Sequence, residues 1–120
     1  MAEFDRLEDF TLFLFLHMAR ADGSVHPNEK ETIHEKMNEI FPGNHDYQPA
    51  WNKLESLHEK SGPAGAEELL KSNWLRFSSM DESMKQRIFT ALFDILNANG
   101  RVDPGETQTL KSIRSWMMTP

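Results

Sequence analysis

A short signature written twice constrains this chain more than any other feature of it. The stretch Ala21-Asp22-Gly23-Ser24-Val25-His26-Pro27-Asn28-Glu29 returns as Ala98-Asn99-Gly100-Arg101-Val102-Asp103-Pro104-Gly105-Glu106. Ala, Gly, Val, Pro and Glu are identical in the two copies, giving Ala-(Asp/Asn)-Gly-x-Val-(His/Asp)-Pro-x-Glu. The match extends to Thr32 with Thr109 and Ile33 with Leu110 on one side. On the other it pairs Leu16 with Phe93, His17 with Asp94 and Met18 with Ile95. Stacked solenoids need about three repeats or more, so two copies imply something else. They predict one domain of two related halves about a pseudo-two-fold axis, at about residues 3–41 and 80–118, with a helical insert at about 45–79.

The context of each copy is helical. From about Glu3 to Arg20, Phe4, Leu7, Thr11, Leu14 and Met18 fall on one stripe, and Phe10, Phe13 and His17 on its neighbour. Phe10 to Leu16 is nearly apolar all round, which predicts a central helix contacted from several sides. Asp22-Gly23 supplies turn chemistry, and Pro27 suits the first turn of a second helix reaching about Phe41, with Ile33, Met37, Ile40 and Phe41 inward. In the insert, Gln48-Pro49 opens a helix bearing Trp51, Leu54, Leu57 and His58 that stops at Ser61-Gly62-Pro63. A shorter helix from about Ala64 follows, with Leu69, Leu70 and Trp74. Ser79 or Asp81 caps the next helix, whose apolar face is Met84, Ile88, Ala91, Leu92, Ile95 and Leu96, widened by Phe89 and Phe93. Asp103-Pro104-Gly105-Glu106 starts the last helix with a capping box, and Leu110, Ile113, Trp116 and Met117 face inward. No segment alternates long enough for a strand. The expectation is an all-α domain of about six helices.

Composition narrows the function. At 120 residues the chain is of single-domain length and encloses a core. A net charge of −6 with no basic run repels a phosphate backbone, so nucleic acid is not an expected partner. With no cysteine, thiol catalysis, thiolate metal sites and disulfides are excluded, and a reducing cytoplasm is the expected location. The apolar run Phe10 to Leu16 is shorter than the roughly 20 residues a spanning helix needs. The opening Met1-Ala2-Glu3-Phe4-Asp5 lacks the basic start of a secretory signal.

Two readings of the doubled loop stand side by side. In one, each copy only ends a helix and starts another, an arrangement in which capping contributes about 1 kcal/mol per end. In the other, the spacing Asp-Gly-x-Val-x-x-x-Glu reproduces the second half of an EF-hand loop. The first half is missing: Met18 and Arg20, or Ile95 and Asn97, stand where opening carboxylates belong. One loop therefore offers one or two oxygens where Ca²⁺ takes about 6–8. Two loops converging would offer Asp22, Glu29, Asn99 and Glu106, an oxygen set suited to Ca²⁺, Mg²⁺ or Mn²⁺ rather than Zn²⁺. His17 with Asp94 and His26 with Asp103 occupy equivalent places and are secondary candidates. For His17 a hydrogen-bonded core role competes, and for His26 a capping role.

The doubled Ala-Asp-Gly-x-Val-x-x-x-Glu signature between apolar helices resembles the tellurite-resistance TerB family, including the related N-terminal domain of the DjlA-type membrane co-chaperones. The resemblance covers nearly the whole chain. It implies an all-helical, internally pseudo-symmetric domain with an acidic, divalent-metal-binding surface, serving stress response through partner proteins, including at a membrane surface. Carried over by position, its acidic residues are Asp22, Glu29 and Glu106. Asn99 departs from the family's aspartate and offers a carbonyl oxygen without charge, which lowers the expected affinity of the second copy.

The remaining chemistry is sparse. His34, His45 and His58 lack metal spacing and are read as surface or capping residues. Met80, Met84, Met117 and Met118 are read as core filling rather than an adaptable binding face. No nucleophile context or phosphate loop is present in the sequence, so an enzyme is not expected.

Overall fold

The computed structural model describes residues 4, 6–22, 25–43, 46–77, 80–98 and 104–117, with Asp22 described by its backbone. Its order is α1 (Leu7–Ala19), a 3-10 turn (Arg20–Asp22), α2 (Pro27–Ile40), α3 (Gln48–Phe77), α4 (Glu82–Leu96) and α5 (Pro104–Met117). The described residues contain no strand.

Helix α1 is the axle. Every residue from Phe10 to Ala19 is buried, because α2, α3, α4, α5 and the 3-10 turn all pack against it. The apolar run that predicted a central helix is thus used on all sides. The first helix begins later than its periodicity suggested. Phe4 precedes it outside the helix, its N–H donated to Asn73 Oδ1 at 3.2 Å and its carbonyl accepting from Arg76 at 2.8 Å. Its ring still reaches the core, 5.2 Å from Phe13 and 6.1 Å from Phe10 between centroids.

The helix count among the described residues is five rather than about six. The two helices expected in the insert run as one, interrupted where Ser61-Gly62-Pro63 was expected to stop the first. Gly62 sits at φ 73°, ψ 168°, a conformation that side-chain-bearing residues avoid, and the chain bends there and resumes the helix. Trp51, Leu54 and His58 before the bend, and Ala66, Leu70 and Trp74 after it, are buried, so both arms cover the core.

The remaining helices follow their sequence signals. Asp81 caps α4, Oδ1 accepting the Met84 N–H at 2.7 Å, whereas Ser79 lies outside the described residues. Ile88, Ala91, Leu92, Ile95 and Leu96 are buried as expected, but Phe93 is 41% exposed. It is held against Phe89 edge-on at 5.4 Å rather than by the core. Met117 is buried, Met80 and Met84 pack on the core margin, and Met118 lies outside the described residues. The architecture is a single all-α domain. The two-fold relation between halves rests on the sequence repeat.

Candidate metal centre at the paired loops

The first loop is built by local chemistry. Helix α1 closes in the 3-10 turn at Arg20–Asp22, and the chain re-enters a helix at Pro27. His26, as the residue before proline, is held extended at φ −72°, ψ 147° and forms the N-cap. Glu29 stands at the third helical position, where Oε1 accepts the backbone N–H of His26 at 3.1 Å. This is the carboxylate half of a capping box.

Capping does not account for the whole side chain. Glu29 is 0% exposed, and Oε2 is buried with no hydrogen-bond partner. Glutamates are almost never fully buried unless paired. An unsatisfied buried polar atom costs about 1–3 kcal/mol, and more when charged. The second oxygen is therefore better suited to a cation than to an empty interior.

The second copy has the same outline. Pro104 opens α5 and Glu106 follows at the position Glu29 holds after Pro27, also 0% exposed. Helix α5 packs against the 3-10 turn and α1, so the element launched by the second copy lies against the first copy's turn. Of the predicted donors, Asn99, Asp103 and the side chain of Asp22 lie outside the described residues. Among the described residues, no three His, Asp or Glu side chains form a metal-holding group.

The secondary candidates are engaged elsewhere. His17 is buried between α1 and α3, its Nδ1 3.0 Å from Nε2 of His58. Asp94 is half exposed on α4 and meets Lys36 of α2 at 3.1 Å, an ammonium shared with Glu39 at 3.1 Å. Those two carboxylates hold the Lys36 pKa above its ordinary value. The structure thus gives His17 and Asp94 separate partners rather than a common site. His26 is exposed at the helix cap.

Sequence reasoning missed the partner of His17. His58 was read as a surface or capping residue, yet it is 3% exposed, packed on the Phe13 ring at 5.7 Å and paired with His17. The available signal was position, since His58 follows Leu54 and Trp51 at helical spacing on the buried stripe of α3. Burial lowers the His17 pKa, with Glu67 opposing it. His58 is pushed down to about 4 by burial, then by His17 and Arg20. His34 is half-buried beside Trp51, at 5.9 Å between rings, and its pKa is lowered by burial and by Lys30. His45 lies outside the described residues.

No described helix is long and apolar enough to cross a membrane. A family model described as tellurite resistance protein TerB matches residues 8–118. Neither curated proteins nor solved structures match the chain.

Proposed function

Because this chain belongs to the TerB family of tellurite-resistance proteins, we propose that it is a non-enzymatic stress-response module that takes up a divalent cation at its paired loops. It acts through protein partners, in the cytoplasm or at a membrane surface. The observation that carries this reading is the Glu29 carboxylate, wholly buried, with one oxygen fixed by the His26 N–H and the other unpartnered. A bound cation satisfies that oxygen and offsets the burial of the charge. Asp22, Glu29, Asn99 and Glu106 would supply oxygen donors, which favours Ca²⁺, Mg²⁺ or Mn²⁺ over a soft metal. His17 and Asp94 drop out of the donor set because they are committed to His58 and Lys36, and His26, exposed at the α2 cap, stays a secondary donor. Asp103 stays a secondary donor.

One observation favours a second reading. The Glu29 Oε1 contact is a capping interaction complete in itself, as expected of a metal-free interaction or co-chaperone-type domain whose loops only join helices.

Melting in EDTA and then with Ca²⁺, Mg²⁺, Mn²⁺ or Zn²⁺ separates the two. A cation at 100 times its Kd stabilises by about 2.7 kcal/mol. Glu29→Gln keeps a cap acceptor but loses the charge, so it is expected to melt at or above the wild type in EDTA and to lose the cation response. Equal melting of the wild type with and without every ion sinks the metal reading and leaves the scaffold. A pull-down returning no partner above background counts against action through partners.

A further inference from the structure

Two buried histidines meet in a pair that neither capping nor the metal reading uses. His17 Nδ1 and His58 Nε2 stand 3.0 Å apart, with the residues 5% and 3% exposed, at the seam where α3 covers α1. A hydrogen bond between two neutral imidazoles needs one proton between the facing nitrogens, donated by one ring and accepted by the other. A proton added to the accepting nitrogen leaves two N–H groups facing each other and breaks the bond. A proton added to an outer nitrogen puts a charge into a desolvated seam.

The surroundings bias the pair against charge without sealing it. Across it from the 3-10 turn lies the Arg20 guanidinium, which opposes a second cation and is tied to Glu59 at 3.6 Å. From the far arm of α3, Glu67 favours a charge on His17, but its carboxylate is engaged by the Ser112 hydroxyl of α5. Helix α1 contributes the uncharged Phe13 ring. His58 also lines a cavity of about 200 Å³, with Arg20, Glu59, Gly62 and Pro63 around it, which gives water a route to the pair. Gly62, at the bend of α3, follows His58 by one helical turn. It joins the arm bearing His58 to the arm bearing Leu70 and Trp74.

We propose that the His17–His58 pair is a proton-operated latch, which when neutral ties the first arm of α3, residues 48–61, to α1 and when protonated lets that arm open about Gly62. Opening exposes the side chains that this arm buries, Trp51 and Leu54 among them, while α4 and α5 stay folded. The latch makes the apolar seam accessible in acid without requiring the whole domain to unfold.

Hydrogen exchange on the full chain, corrected for the intrinsic pH dependence of exchange, tests it. Below about pH 6.5 the opening constant of residues 48–61 is expected to rise about tenfold per pH unit for each linked proton, with residues 82–96 and 104–117 unchanged. His58→Gln, which removes one of the two titrating rings, is expected to lower this dependence by one linked proton, and His17→Gln with His58→Gln to remove the share of the pair. His34→Gln, which removes a half-buried imidazole packed on Trp51 of the same arm, is expected to leave the share of the His17–His58 pair intact. Loss of protection in all helices together overturns the latch, as does an acid response that is unchanged by His58→Gln or that disappears with His34→Gln. If His58→Gln does not fold, NMR titration of the wild-type imidazoles decides. Coupled titration of His17 and His58 well below the ordinary histidine range, moving with the Trp51 indole, supports the latch. Independent titration near 6.5 overturns it.

Discussion

At the scale of single residues, the instructive side chains are polar ones in apolar company. Tyr47 is the only tyrosine, 4% exposed, with its hydroxyl donating to Glu8 Oε2 at 3.4 Å. Burial first, and the Glu8 charge second, raise its pKa to about 12. The folded protein favours the neutral phenol, so this contribution to stability is intact below about pH 10 and is lost as pH rises towards 12. Tyrosinate absorbance is expected to titrate near 12 in the native protein and near 10 in urea, with Glu8→Gln lowering the native midpoint. Glu29 and His58 carry the same lesson about reading a sequence. The Pro-x-Glu spacing marked Glu29 as a cap, and only the fold shows that its second oxygen is buried as well. His58 reads as polar in the sequence, and its partner is a residue of another helix that no local pattern names.

Among the elements, α1 and α3 differ in how their sequences specify them. Helix α1 is apolar around its circumference, which leaves one solution, a position at the centre. Helix α3 carries Gly62-Pro63 in its middle, a pair that stops most helices. Here it bends the chain and lets both arms bury their stripes. A Cβ added at Gly62 meets nothing within 4 Å, so the backbone alone makes the position selective for glycine. Gly62→Ala is expected to destabilise by about 1–3 kcal/mol in urea unfolding, the range for a residue forced into this region of φ and ψ. An alanine that left stability unchanged would show that the bend straightens at no cost. The α4 cap at Asp81 is of the other kind, where one hydrogen bond fixes a boundary that periodicity leaves open by a few residues.

For the whole molecule, the central fact is that one helix is shared by all the others. Phe13 is 0% exposed and sits between Phe4 and His58, which belong to the N-terminal segment and α3. Phe13→Ala is expected to cost about 3–5 kcal/mol. That is a large part of the roughly 5–15 kcal/mol that holds a domain together. Unfolding followed by circular dichroism and by tryptophan fluorescence is expected to shift to lower urea by the same amount, since Trp51 and Trp74 on the two arms of α3 and Trp116 on α5 lie around this core. Separate midpoints for the two probes would argue against one cooperative unit at neutral pH.

What the sequence determined by itself was whatever chemistry acts over one or two helical turns. Helical class, the central role of α1, the capping residues and the buried stripes follow from spacing and turn residues, because those interactions join neighbours along the chain. The repeated signature identified the family for the same reason, since a motif is a local pattern. Tertiary structure decided the rest: that Glu29 and Glu106 are both wholly buried, that α5 lies across the first loop's turn, that Asp94 goes to Lys36, and that His17 meets His58. Each depends on which helix lies opposite, and burial and pairing across helices are set by packing that no single segment encodes.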